Sequence, residues 1–172
     1  LQAGAERVFY FEDGFHSPED VKNGQLGQCF TFPWMNSADI NVTPKWVRET
    51  VWYQIFPERF ARRGPASAGM DDWNAAPTRD NVLGGNLGGI IDRIPYLSEL
   101  GVECLYLNPI FTGDFNHKYA TTDYFSVDPM FGTKDTLREL VARCHEAGIR
   151  VILDGVFNHS GIHFPPFEDL LK

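Results

Sequence analysis

From position 51 onward the apolar residues alternate between two spacings. Val51-Trp-Tyr-Gln-Ile55 is a short apolar run closed by Pro57, and it predicts a strand. Ile90, Ile91, Ile94, Leu97 and Leu100 then recur at threes and fours, which predicts a helix over Gly88–Leu100 ended by Gly101. Pro95 either kinks that helix or opens a second segment at its first turn. Val102-Glu-Cys-Leu-Tyr-Leu107 is near-continuously apolar, as a strand buried on both faces is, and Pro109 closes it. Thr133 is an N-cap residue, and Leu137, Leu140, Val141 and Cys144 form the stripe of a second helix that Gly148 stops. Ile149–Phe157 is a third apolar run. Two long stretches, Ala61–Gly85 and Ile110–Gly132, read as loops, and loops of that length are usually functional.

The order β, α, β, α, β with doubly buried strands predicts a parallel sheet with right-handed crossovers. An open doubly wound sheet and an eight-stranded barrel both fit. Gly84-Gly85 follows the first strand without a GxGxxG, so the dinucleotide-binding signature of the open sheet is missing. Long, polar, aromatic loops after the strands suit the barrel, whose active sites lie at the strand C-termini. A full barrel takes roughly 250 residues. The expectation is therefore an α/β fold, a partial (β/α)8 TIM barrel containing strands one to three. Residues 1–43 differ: Arg7–Glu12, closed by Asp13-Gly14, and the alternating Gln28–Phe32 predict strands, and a polar linker follows. This divides the chain into a β-rich portion at 1–43, a βαβαβ portion at 44–161, and the start of an insertion after the third strand at 162–172.

Composition narrows the function. A net charge of −8 opposes binding to phosphate backbones, so nucleic acid is not an expected partner. No run of 18 apolar residues exists to cross a membrane as a helix. The chain begins at Leu1 with no visible leader, and its start is expected to lie within a longer protein. Cys29, Cys104 and Cys144 match no zinc or redox spacing. Cys104 and Cys144 read as small buried hydrophobes, and a reducing, cytoplasmic location is expected. Aromatic residues make up 14% of the chain, more than a small core requires, and flat rings also stack on sugar faces.

Two segments carry candidate chemistry. Asp154 lies in an apolar run and needs a specific partner, because a buried carboxylate is costly without one. Asn158 and His159 come next, at the strand's C-terminal end. There the imidazole either serves a ligand or simply bonds nearby carbonyls. The second segment, Asn116-His-Lys-Tyr-Ala-Thr-Thr-Asp-Tyr124, sets polar groups among Tyr rings. It fits a sugar's apolar face and hydroxyl rim, or an ordered loop that uses Tyr for packing. Asp71-Asp72 and Glu168-Asp169 lack a strand-end context and read as solvated charge. His159-x3-His163 has a metal-ligand spacing in a Pro-rich, non-helical setting that does not suit zinc.

Taken in order, Val51-Trp-Tyr-Gln-Ile-Phe-Pro-Glu-Arg-Phe60, Gly84-Gly-Asn-Leu-Gly-Gly-Ile90, His117-Lys-Tyr119, Asp123-Tyr124, Val127-Asp-Pro129 and Asp154-Gly-Val-Phe-Asn-His159 closely resemble the α-amylase family of glycoside hydrolases. Gln54–Phe60 resembles its neopullulanase, cyclomaltodextrinase and maltogenic amylase branch. The resemblance covers about 46–161, and 1–43 is similar to the end of the β-sandwich starch-binding module that precedes the barrel there. It implies a retaining hydrolase of α-glucans or cyclodextrins, whose whole protein is a homodimer. Tyr119 would stack on the glucose of subsite −1, with His117 in the same loop. His159 would hydrogen-bond that sugar and Asn158 would support the corner. Asp154 would be structural and not the nucleophile. The nucleophile and acid/base of the family, which flank the bond about 5 Å apart, would lie beyond Lys172, leaving no catalytic carboxylate in this chain. The branch often binds calcium after strand one through Asn and Asp side chains and a Gly-Gly-Asp turn. Gly84 and Asn86 mark that turn, but Asn86 replaces the Asp, and Phe60-Ala-Arg-Arg-Gly64 brings two cations. Calcium favours several hard oxygens, so no cofactor is expected unless Asp71, Asp72, Asn74 and Asp80 rebuild the site. The alternatives are a non-catalytic carbohydrate-binding fragment and a transglycosylase of the same fold.

Overall fold

The structure is a computed structural model that describes residues 2–3, 6–23, 30 and 42–172. The chain divides into two compact units, Leu1–Thr43 and Pro44–Lys172. In the first, β1 (Gln2–Ala3) pairs antiparallel with β2 (Glu6–Arg7), and β3 (Phe9–Phe11) with β4 (Gly14–His16). The predicted Arg7–Glu12 strand is thus interrupted, because Val8 belongs to neither ladder and Glu12-Asp13 form the turn of the second. Cross-strand Tyr10 and Phe15 rings stand 4.9 Å apart. Helix α1 (Pro18–Lys22) opens on a capping box between Ser17 and Asp20. The predicted strand at Gln28–Phe32, and Cys29 with it, falls outside the described residues except for Phe30.

The second unit is built on a parallel sheet of β5 (Trp52–Ile55), β6 (Cys104–Leu107) and β9 (Arg150–Leu153), in the order β5-β6-β9. Trp52 pairs with Cys104 and Cys104 with Arg150, so the C-terminal ends Ile55, Leu107 and Leu153 are level. This is the arrangement of consecutive barrel strands. Of the three, β6 alone is buried on both faces. On the flanking strands Trp52 and Leu153 are 39% and 38% exposed, because each strand has one neighbour among the described residues.

Four α-helices lie on this scaffold before the last strand. Helix α2 (Pro57–Phe60) follows β5, and the predicted helix over Gly88–Leu100 is two, α3 (Leu87–Asp92) and α4 (Ile94–Glu99). They divide at Arg93, and Pro95 sits in the first turn of α4, where its missing N–H costs nothing. Helix α5 (Lys134–Glu146) starts at Thr133 with a capping box to Thr136 and buries Leu140 and Cys144. Leu140 and Cys144 join Ile55, Leu87, Ile90 and Leu105 in one core.

Two expectations change. The Ile110–Gly132 stretch is not a plain loop: β7 (Phe111–Gly113) and β8 (Thr121–Val127) pair antiparallel, with irregular register, into an arm beyond β6. The polar residues Thr121, Thr122, Asp123 and Ser126 hide this strand in the sequence. The third parallel strand is also shorter than its apolar run, ending at Leu153 rather than Phe157. Asp154 keeps one ladder bond, its N–H donating to Leu107 O at 3.0 Å, before the chain turns away and leaves Phe157 85% exposed. Helix α6 (Pro165–Leu170) closes the described chain.

Candidate active site

The site is built from the segments that leave β6 and β9 at their C-terminal ends. After β6, the arm folds back through Lys118, the one non-glycine with a left-handed φ (59°) among the described residues. Its Nζ lies 2.7 Å from Asp128 Oδ2 and donates to Gly113 O at 2.9 Å, and both ion-pair side chains are under a tenth exposed. The residues on either side of this turn are His117 and Tyr119. The Tyr119 N–H donates to His117 Nδ1 at 3.1 Å, so that nitrogen carries the lone pair and the outer Nε2 carries the hydrogen of a neutral ring. Burial, then the charges of Arg79 and Lys118, pushes the His117 pKa down, which favours that neutral form. The rings of Phe115, His117 and Tyr119 form a row, with centroids 5.3 and 5.8 Å apart.

After β9, Asp154 receives the Tyr119 hydroxyl, which donates to its Oδ2 at 2.8 Å. Tyr106 on β6 feels the same carboxylate, which with burial raises its pKa. The partner that the sequence demands for Asp154 is therefore the Tyr119 phenol. Burial, and a phenolate's repulsion from Asp154, push the Tyr119 pKa up to about 12 and the Tyr106 pKa up as well, so both remain donors. His159 turns back toward the arm. Its Nε2 meets Tyr119 O at 3.1 Å, and because a carbonyl only accepts, that nitrogen bears the hydrogen. Nδ1 lies 3.3 Å from Asn158 Nδ2. Tyr124 fixes the turn: its hydroxyl lies 2.7 Å from Val156 O and 2.9 Å from His159 O. Gly161 N donates to Thr121 O at 2.7 Å, and a Cβ on Gly161 would stand 2.7 Å from Ala120 O. Tyr119, His117, Asp154, Asn158 and His159 thus form one connected corner.

Gly84 and Asn86 do different work. The Asn86 amide oxygen accepts from Gly89 N at 2.8 Å and Arg63 N at 3.2 Å, and Nδ2 donates to Arg63 O. Both lone pairs are used in capping α3 and holding Arg63, so this side chain has no oxygen lone pair left for calcium. Two of the carboxylates that could rebuild the site are also engaged with backbone: Asp71 accepts from Val82 N, and Asp72 from Asn74 N. The Gly84 N–H donates at 2.9 Å to Glu58, a fully buried carboxylate that also accepts from Leu83 N and pairs with Arg59. Arg59 in turn donates to Thr78 O and Asn81 O, tying the long 61–86 segment to the end of β5. A Cβ on Gly85 would collide with Pro57 O, so only glycine allows this approach. Asn116 joins that segment to the arm, donating to Asn81 O at 3.2 Å.

His163 faces Glu168 at 3.1 Å and Asp169 faces Lys172 at 3.0 Å. Among the described residues no cluster of three His, Cys, Asp or Glu is placed to hold a metal. Lys118, Tyr106 and Glu58 complete the site's framework without standing out in the sequence. A charge inside an apolar or aromatic stretch is the available signal for Lys118 and Glu58, and Tyr106 gives none beyond its place in a strand.

Known proteins share this architecture. Residues 54–172 match the family described as the α-amylase catalytic domain. A cyclomaltodextrinase of Geobacillus thermopakistaniensis is 50% identical over 175 residues, spanning 100% of this chain and 29% of that protein. Neopullulanase 2 of Thermoactinomyces vulgaris is 46% identical over 171 residues, spanning 97% and 28%. Among solved structures, the cyclic α-maltosyl-(1→6)-maltose hydrolase of Arthrobacter globiformis, in complex with cyclic α-maltosyl-(1→6)-maltose, superposes with a TM-score of 0.71 at 45% identity, covering 74% of this chain and 29% of that one. The chain therefore spans under a third of the length of these relatives.

Proposed function

The chain belongs to the α-amylase family, and from that premise we propose that it supplies the glucose-holding wall of a glycoside hydrolase acting on α-glucans or cyclodextrins with retention of anomeric configuration. The partial barrel is that of the family's enzymes. The observation that carries the reading is the Tyr119 ring, held by its hydroxyl on Asp154 at the level where the parallel strands end. Active sites of this fold lie there. A ring fixed at its hydroxyl offers its face to the apolar side of a sugar, and the Nε2–H of the neutral His117 ring is a donor for a hydroxyl on the rim. His159, bonded to Tyr119 O, sets the spacing between the two loops and stands beside the same sugar. This corner orients a glucosyl unit, and the carboxylates that cleave its bond belong to the remainder of the enzyme.

The test uses the complete enzyme with maltotriose and β-cyclodextrin. Tyr119→Ala should lower kcat/KM about a hundredfold, the scale of a misplaced substrate. Tyr119→Phe, which keeps the ring and removes only its hydroxyl bond to Asp154, should lower it only about tenfold. Proton NMR of the first product should show the α-anomer. An unchanged Tyr119→Ala enzyme, or a wild type that releases no sugar, overturns the reading.

A further inference from the structure

We infer that Lys118 is a positioning residue for the sugar-binding corner, because its buried ion pair with Asp128 holds the left-handed turn that presents His117 and Tyr119. This rests on the function proposed above. A left-handed backbone is unfavourable for a side chain with a Cβ, and glycine would adopt it without strain. The chain places lysine there instead, and each polar group of that residue is engaged. Its N–H donates to Phe115 O at 3.1 Å, its carbonyl accepts from the buried Thr121 hydroxyl at 3.1 Å, and its ammonium reaches Gly113 O and Asp128. Asp128 is held as firmly, accepting from Met130 N at 2.9 Å and Gly113 N at 3.4 Å, while its own N–H donates to Ile110 O. Lysine, aspartate and the Gly113 peptide close a ring at the base of the arm. The two peptides leaving Lys118 carry His117 on one side and Tyr119 on the other, so the direction of both side chains depends on that ring. Lys118 itself is buried, so its side chain does not reach a bound sugar. Its effect on turnover therefore has to pass through its neighbours.

A double-mutant cycle in the complete enzyme isolates that dependence. Lys118→Gly keeps the turn accessible and removes the ammonium, and Tyr119→Ala removes the ring through which it acts. With maltotriose, Lys118→Gly should lower kcat/KM about thirtyfold when Tyr119 is present, and less than about threefold in the Tyr119→Ala background, since coupled neighbours are non-additive. Asp128→Asn, which keeps the shape and removes the charge, should repeat the pattern, and it replaces Lys118→Gly should that variant not fold. Equal factors in both backgrounds would mean a general loss of fold and would overturn the inference. A second readout needs no turnover: the Tyr119 amide, bonded to His117 Nδ1, should lose its downfield proton shift in Lys118→Gly. An unmoved amide signal overturns the positioning role even if the wild type proves inactive, which would separately overturn the function.

Discussion

His117 and Tyr119 are two residues apart and titrate away from their ordinary ranges in a related way. Each is kept uncharged by burial and by a charge beside it, Arg79 and Lys118 for the imidazole and Asp154 for the phenol. For His117 the sign is definite. Its folded value lies below the ordinary 6.5, so above that pH neither state is protonated and nothing is lost. As pH falls below about 6.5 the unfolded chain takes a proton that the folded chain refuses, and stability declines until the folded value is passed. Ring carbon shifts of the complete enzyme, assigned with His117→Gln, should place the His117 midpoint below 6.5. A midpoint at or above that value would contradict the half-buried neutral ring. The two described cysteines obey the same physics. Burial raises the Cys104 pKa and pushes that of Cys144 up to about 11, so both are protonated core side chains, as their scattered spacing suggests.

Among the elements, the 61–86 segment shows how a long connection is made definite without regular structure. Glu58 takes two backbone N–H bonds and the Arg59 guanidinium, and Arg59 takes two carbonyls. Glu58→Ala would leave those donors and the cation without their acceptor. It should destabilise the fold by about 3 kcal/mol, read as a lowered urea midpoint, whereas a change within about 0.5 kcal/mol would show the network to be dispensable. The elements legible in the sequence are those with strong periodicity or a local cap: α5 with Thr133, the α3–α4 pair with Pro95, and the apolar β6. The arm is not legible, because β8 is stabilised by pairing with β7 and by long-range bonds of Thr121 and Tyr124, none of which leaves an alternating pattern. The end of the third strand is overrun for the opposite reason. Val156 and Phe157 are apolar, but Phe157 is exposed and Val156 lends its carbonyl to Tyr124. In the corner, motif order reveals Tyr119, His117, Asp154 and His159, while the ion pair beneath them joins residues ten apart and shows only in three dimensions.

For the whole molecule, the parallel sheet governs how these 172 residues behave alone. Among the described residues, strands β5 and β9 each present an unpaired edge, with Trp52 and Leu153 partly exposed along them. Open edges and apolar faces recruit further chains. Produced as the 172-residue chain, the protein should elute as mixed oligomers on size-exclusion chromatography and bind a hydrophobic dye, in spite of its net charge of −8. A stable monomer without dye binding would show that the edges are shielded.

The bonds between loops constrain any redesign of this surface. The segment after β5, the arm after β6 and the turn after β9 are stitched to one another by Asn116 to Asn81, Gly161 to Thr121, and Tyr124 to the Val156 and His159 carbonyls. They are not separate modules that can be exchanged singly, as loops on a barrel rim are often imagined to be. The arm bonds to both of the others, so a graft that replaces it strands stitches on either side, and a graft of either neighbour strands its bonds to the arm. New specificity would have to be transplanted as a set of three loops, and drift in any one of them is answerable to its neighbours.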